Sequence, residues 1–297
     1  MTIDGKQIAK EVLARLKEEI SSKILKLHLA EILVGDNSEF IKFVELKKKT
    51  AEKIGIEVTI YKFPKEVTTE ELKKEINEIC KWSDGVLVEL PLPKHIDQEA
   101  VLNEVLVEKD VDVLSAEAEK LFYGNKSIIF PPAVESLKIV LEKYNIFLKD
   151  KKAAVFGQGI LVGKPVSYWL EQQGVQVFRI NSKTKNPEEL SRQADIIVSG
   201  VGKTELVTGG MVKEGVVVVD FGYGKKDGKM KGDVEFGSVS KKAGLITPVP
   251  GGMGPILIVA VLKNLIKLKT NESRTKSRSR QGRESKGPRR GYFVRDE

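Results

Sequence analysis

The sequence predicts an α/β fold built on parallel sheets. Three features of the 297-residue chain point there: apolar runs of strand length alternate with amphipathic helical stretches, runs such as Val86-Leu87-Val88 and Val216-Val217-Val218-Val219 are apolar on consecutive residues, and a glycine-rich turn joins one strand to the helix after it. Residues 4–23 read as a first helix, because Ile8, Val12, Leu13, Leu16 and Ile20 recur at helical spacing. A strand follows at 27–34, a helix at 38–54, a strand at 57–63 and a helix at 69–81, whose start, Thr68-Thr69-Glu70-Glu71, has the form of a capping box. The strand at 85–90 contains Val86-Leu87-Val88, apolar on both faces, as a strand covered by helices on two sides requires. Helices are expected at 97–106 and 134–144. After a polar seam at 145–152 the alternation resumes, with strands at 153–156, 175–180, 196–200 and 216–221 and helices at 163–173, 187–192 and 209–214. Asn186-Pro187 offers a cap and a proline at the first helical position. An apolar helix at 255–268 follows the rigid connection Pro248-Val249-Pro250-Gly251-Gly252-Met253-Gly254-Pro255 and can close either half of the molecule.

The chain is 41% hydrophobic, enough for one large core or two modest ones, which excludes a fibrous or wholly disordered protein. No apolar run is long enough to span a bilayer, and the first six residues lack the charged-then-apolar pattern of a secretory leader. A soluble, cytoplasmic protein without a membrane partner is expected. The single cysteine, Cys80, can form no internal disulfide, and with only two histidines, His28 and His95, no metal site is expected. The formal charge of +8 is unevenly spread: residues 271–297 carry nine basic and four acidic side chains and almost no apolar ones. A disordered basic tail is therefore expected over 270–297, on a nearly neutral body. Such a tail can touch nucleic acid, although a solvated extension is the commoner case and nucleic acid is not the expected partner.

Gly157-Gln158-Gly159-Ile160-Leu161-Val162-Gly163 stands between a strand and a helix, the setting of a dinucleotide-binding turn. Glycines there let backbone N–H groups approach a pyrophosphate at a helix N-terminus, where partial positive charge favours an anion. The spacing is one residue longer than the usual fingerprint, so on this motif alone a plain glycine turn remains open. An acidic partner for free ribose hydroxyls belongs about twenty residues further on. Arg179-Ile180-Asn181-Ser182-Lys183 stands there instead, and Arg179 and Ser182 suit the extra phosphate of NADP better than the hydroxyl of NAD.

In the helix at 38–54, Lys47 falls on the apolar stripe of Phe40, Phe43, Val44, Ala51 and Ile54. A lysine held against an apolar face loses hydration, which lowers its pKa and brings proton transfer within reach of neutrality. On helix phase alone, a lysine that snorkels to the rim is the commoner outcome. Glu89 closes the buried run at 85–88, just before Leu90-Pro91-Leu92-Pro93, and ligands of open α/β sheets collect at such strand ends. A carboxylate there is either paired or functional. Asp112, in Lys109-Asp110-Val111-Asp112-Val113, can accept paired donors from a planar heterocycle, although surface loop aspartates are far more frequent.

With these pieces in order, the chain resembles the bifunctional methylenetetrahydrofolate dehydrogenase/methenyltetrahydrofolate cyclohydrolase family over residues 3–268. The resemblance is carried by Ile3-Asp4-Gly5-Lys6, Val34-Gly35-Asp36, Phe43-Val44 with Lys47, Ile54-Gly55-Ile56, the segment 85–93, Lys109-Asp110-Val111-Asp112, the Gly157 loop through Pro165, Gly232-Asp233-Val234, and 247–252 with Gly254-Pro255. It implies two α/β domains around a cleft, the C-terminal one a Rossmann-type parallel sheet. Residues 1–145 would be the folate-binding catalytic domain, joined by a returning helix at 255–268, and 146–250 the NAD(P)-binding domain. It further implies a homodimer, a reduced folate or related pterin as substrate, and NADP as cofactor with NAD the alternative. The implied reactions are hydride transfer from methylenetetrahydrofolate and hydrolysis of the methenyl product to the formyl form. Lys47, Glu89 and Asp112 fall at its catalytic positions, and Phe43, Leu90, Pro91, Pro250, Gly251 and Gly252 at its substrate positions. Gly157, Gln158, Gly159, Gly163, Arg179, Ser182, Gly202 and Tyr223 fall along the cofactor.

The chain departs from the family pattern in ways that bear on chemistry. Phe43 replaces a tyrosine, Glu89 a glutamine, Val113 a glycine, Gln158 an arginine that commonly meets the cofactor phosphate, and Asn181 a histidine; Pro132-Ala133-Val134 replaces Cys-Thr-Pro and Ile256-Leu257 replaces Met-Thr. A glutamate beside Lys47 favours the ammonium and opposes the effect of burial. The expectation is that hydride transfer survives while cyclohydrolase activity is weakened by Phe43 and Glu89, or retuned to a modified pterin. Two rival readings are a different Rossmann dehydrogenase, which leaves 85–93 and 247–255 without a role, and a non-enzymatic scaffold that binds nucleic acid through its tail.

Overall fold

The computed structural model describes residues 1–284, with side chains as far as residue 272. In chain order the elements are α1 (Gly5–Ser22), β1 (Leu27–Val34), α2 (Ser38–Glu52), β2 (Ile56–Phe63), α3 (Thr69–Cys80), β3 (Gly85–Val88), α4 (Gln98–Leu102), α5 (Ala116–Tyr123) and α6 (Pro132–Lys143). Then come β4 (Lys152–Phe156), α7 (Gly163–Gln172), β5 (Gln176–Ile180), α8 (Pro187–Gln193), β6 (Ile196–Ser199), a 3-10 turn at Gly209–Met211, β7 (Val217–Asp220), β8 (Gly224–Lys226), β9 (Lys229–Lys231), α9 (Phe236–Val239), β10 (Leu245–Ile246) and α10 (Met253–Glu284).

The strands form two parallel sheets, one of three strands in the order β2-β1-β3 and one of five in the order β10-β7-β6-β4-β5, plus an antiparallel hairpin of β8 and β9. β1 is central and covered on both faces. Leu27 and Leu29 belong to one apolar core with α1, α2, α6 and α10, whereas Ala30, Ile32 and Val34 belong to another with α3 and α4. This double coverage is the reason Val86, Leu87 and Val88 of the neighbouring strand are apolar without alternation.

Two helices join the lobes. α6 packs against α10 on one side and α7 on the other, and α10 returns to pack on α1 and β1. Asn264 of α10 donates from Nδ2 to the carbonyls of Val111 and Phe130, at 2.9 and 2.8 Å, which fixes the loop leading to Asp112. A third link runs through residues 1–3. Thr2 bridges Ile246 in parallel fashion, and the Ile3 N–H donates to the Ile246 carbonyl at 2.8 Å, so this segment covers the outer edge of β10. α1 then starts hard against the connection into α10: a Cβ on Gly5 would lie 1.8 Å from the Gly252 oxygen.

Several local expectations need correction. Thr68 and Glu71 do form the capping box, but Asn186 sits in the left-handed region at φ 48° and makes no side-chain cap, leaving the proline alone to start α8. The stretch 209–214 closes as a single 3-10 turn, because Gly209 and Gly210 disfavour a longer helix. α5, capped by Ser115, was not anticipated, nor was the hairpin, although its turn residues Asp227 and Gly228, at φ 51° and 72°, are a strong hairpin signal. The helix expected at 255–268 runs on to Glu284, so the first part of the segment expected to be disordered is helical in backbone. Residues 285–297 lie outside the described residues. Among the described residues no helix is long and apolar enough to cross a membrane.

Candidate functional site

Lys47 is buried on the inner face of α2, 4% exposed, and does not snorkel. Its Nζ is ion-paired with Glu89 Oε1 and lies 3.6 Å from Glu31 Oε2. The Phe43 ring, one helical turn earlier, faces the same ammonium at 5.3 Å. Glu89 is placed by β3: its backbone N–H donates to the Ile32 carbonyl at 2.9 Å, and the side chain leaves the sheet toward α2. Burial alone would depress the Lys47 pKa, but Glu89 and Glu31 together, the hydrogen bond to Glu89, and the charge of Asp112 raise it above its ordinary value. Lys47 is therefore an ammonium in the resting site.

Asp112 is partly buried in the loop after Asp110. Burial pushes its carboxyl up to about 8, reinforced by Glu89, Asp110 and Glu31 and opposed by Lys47. The loop owes its shape to Asp110, whose Oδ2 accepts from the Leu114 and Ser115 N–H groups at 2.9 and 2.7 Å. Val113 holds a left-handed φ of 60°, a strained position for a β-branched residue and one where glycine would be at ease. Across from these groups stands the second lobe. Burial, with the charges of Glu39 and Glu89 of the first lobe, pushes the Tyr223 hydroxyl above its ordinary pKa, and Lys225 of β8 is ion-paired with Glu39 of α2. The carboxyl end of β3 and the loop after β7 thus face each other across the cleft between the lobes.

In the second lobe, Gly157 follows β4 at φ 85°, where a Cβ would come 2.9 Å from the Gly200 oxygen. A Cβ on Gly163 would fall 2.0 Å from the Gly157 oxygen, whereas Gly159 has nothing within 4 Å. The turn is closed on its inner side and open on its outer side, and no side chain caps α7. That is a fit for a nucleotide diphosphate.

The comparisons with known proteins agree with this geometry. Residues 3–112 match the tetrahydrofolate dehydrogenase/cyclohydrolase catalytic domain, and residues 131–273 match the NAD(P)-binding domain of the same proteins. The chain belongs to the tetrahydrofolate dehydrogenase/cyclohydrolase family. It is 41% identical over 271 residues to the bifunctional protein FolD of Moorella thermoacetica, covering 89% of this chain and 96% of that one. Among solved structures, the bifunctional FolD enzyme of Campylobacter jejuni superposes with a TM-score of 0.87 at 36% identity, covering 92% and 99% of the two chains. The FolD enzyme of Trypanosoma brucei, described as complexed with NADP cofactor and inhibitor, gives 0.87 at 30% identity, covering 92% and 98%.

Of the residues the family resemblance singled out, Lys47 and Glu89 are in contact and Phe43 and Asp112 are close by. Leu90 turns into the core beside α3, and Pro91 is exposed beyond it. Pro250 is exposed, while Gly251, at φ 99°, and Gly252 form the seat on which α1 rests. Gln158 folds inward, donating from Nε2 to the Val155 and Gly157 carbonyls at 3.2 and 2.6 Å, so its amide braces the turn and does not reach outward. Arg179 makes a two-point pair with Glu171 of α7, at 3.0 and 2.8 Å, which commits its charge. Ser182 and Gly202 are exposed at the ends of β5 and β6, and Tyr223 is about half exposed.

Sequence reasoning missed two groups. Glu31 was visible as a carboxylate inside an apolar strand. Asp233, fully buried, accepts with Oδ2 from Ser199 Oγ (2.8 Å), the Val201 N–H (2.6 Å) and the Gly202 N–H (3.3 Å), and so shapes the loop after β6. Its partner Asp220 accepts from the Gly222 and Val234 N–H groups, and burial pushes it up to about 7.

Proposed function

We propose that the protein oxidises methylenetetrahydrofolate to methenyltetrahydrofolate with NADP, and hydrolyses that product to formyltetrahydrofolate at the same site. The observation that carries this reading is Lys47, buried between Glu31 of β1 and Glu89 at the carboxyl end of β3, with Glu89 close enough for its charge to act on the Tyr223 hydroxyl of the nucleotide lobe. Gly157, Gly159 and Gly163 would hold the diphosphate of the cofactor, which would supply the hydride acceptor.

The chain's own residues do the rest. Hydride departure leaves a cation on the folate; Glu89, with Glu31 and Asp112 when these are ionised, offsets the repulsion between that cation and the Lys47 ammonium. Asp112 can accept the ring N–H and amino group of the pterin in a two-point contact, which stabilises its carboxylate form. Water must then add to the cation and lose a proton, for which a positioned amine is a suitable acceptor. Because Glu89 and Glu31 keep Lys47 charged, only a small free-amine fraction does this work, so hydrolysis is the slower of the two reactions. Phe43 offers no hydroxyl to orient the water. The family resemblance supports a homodimer, and the reading places it in the cytoplasm; light scattering on the full chain checks the assembly.

The test is an absorbance assay with methylenetetrahydrofolate and each nicotinamide cofactor, following reduced cofactor and methenyl product separately. Reduction of NADP with transient accumulation of the methenyl form is expected. No cofactor reduction with either nucleotide would end this reading.

A further inference from the structure

Glu31 sits mid-strand on β1, in register with Ile60 of β2 and Leu87 of β3. It is fully buried, as are Leu29, Ala30 and Ile32 beside it, and neither of its oxygens has a hydrogen-bond partner among the described residues. A carboxylate in such surroundings loses its hydration and needs a cation to offset the loss. The cation it faces is Lys47 Nζ, 3.6 Å from Oε2, too far for a good hydrogen bond but close enough for a strong Coulombic interaction at low polarity. On its other side the same ammonium is held by Glu89. The amine is thus flanked by one carboxylate at the rim of the cleft and one sealed in the sheet.

We propose that Glu31 is a positioning residue for Lys47: a buried carboxylate that centres the amine opposite Glu89 and sets the pH at which it releases its proton. The assignment rests on the reading of Lys47 as the group that works on the folate, but its physical content can be tested without turnover. The groups that act on Glu31 are Lys47 and Glu45 of α2 and Glu89 at the end of β3, while Asp112 in the loop after β3 feels its charge. Burial holds the Glu31 carboxyl at about 7, so it ionises near neutrality. Below that point Lys47 answers chiefly to Glu89; above it a second negative charge tightens the hold on the proton. The amine then resists deprotonation in the range where a lone buried lysine would release it.

The experiment titrates Lys47 in the full chain by NMR of lysine labelled at Cε, with the resonance identified by its loss in Lys47→Met. It is repeated in Glu31→Gln and Glu31→Leu, the second supplying an apolar side chain of similar volume should the amide fit poorly. The Lys47 midpoint is expected to fall by about one unit or more in both variants, and the rising limb of the methenyl hydrolysis profile should move to lower pH by the same amount. A Lys47 titration superimposable on that of the unsubstituted protein, in a variant that keeps the native circular dichroism spectrum, overturns the proposal. If the midpoint moves but no folate turnover is found, the Glu31 assignment stands and the proposed function falls.

Discussion

Replacing Glu89 by glutamine should release the hydrolytic half of the reaction. In the resting site burial would favour the free amine of Lys47, yet Glu89 and Glu31 outweigh it and lift the pKa above 10.5. An amine with its midpoint at 10.5 is unprotonated in roughly one molecule in three thousand at pH 7, and the fraction here is smaller still. An adjacent opposite charge is worth about one to three units to a partner held in contact. Glu89→Gln keeps the shape and one hydrogen-bonding oxygen while removing that charge, so the free-amine fraction should rise about tenfold or more. Methenyl hydrolysis at pH 7, followed by loss of methenyl absorbance, should rise by a comparable factor. NADP reduction should change far less, since hydride transfer needs alignment and not a free amine. Unchanged hydrolysis together with an unchanged Lys47 titration would refute the argument.

Four further outcomes follow from the same structure. The Glu31 carboxyl, raised by burial from 4.5 to about 7, binds its proton more tightly folded than unfolded, so its contribution to stability is full below about 4.5 and is lost as pH rises to 7. That loss is on the order of 3 kcal/mol, and urea midpoints at pH 5 and pH 8 should differ less in Glu31→Leu than in the unsubstituted chain. Asp233→Asn should weaken NADP binding about tenfold by loosening the Ser199–Gly202 loop, read by fluorescence titration; an unaltered Kd would show that the loop holds without it. Gly5→Ala should lower stability by about 1–3 kcal/mol, because its methyl would lie 1.8 Å from the Gly252 oxygen, and a native melting temperature would contradict the close approach. Arg179→Ala should leave the ratio of NADP to NAD efficiency within about threefold if the two-point pair with Glu171 persists in the complex; a loss of tenfold or more would show that Arg179 leaves Glu171 to meet the phosphate.

Much of this was legible in the sequence because it depends on local periodicity. The position of Lys47 on the α2 stripe, the strand-end position of Glu89, and the glycine turn after β4 each follow from spacing within one element. What stayed hidden depends on contacts between elements. Arg179 looked free for a phosphate because nothing local reveals Glu171 on the neighbouring helix. Gln158, which the resemblance places along the cofactor, turns inward because the Val155 and Gly157 carbonyls come within its reach only when the turn closes. Glu31 carried a signal, a charge amid apolar strand residues, but its meaning required the lysine of α2. Short elements such as β10 and the 3-10 turn hold too few residues to show a period.

The pairing of residues 1–3 with β10 has a practical corollary for anyone dividing the molecule. A fragment cut to contain only the five-stranded sheet would leave one border of β10 with bare N–H and C=O groups, ready to recruit strands from other copies. Such a fragment should be sticky in solution unless the opening residues are supplied as a peptide or grafted alongside, and a fragment of the three-stranded sheet would carry that same segment with nothing to dock on.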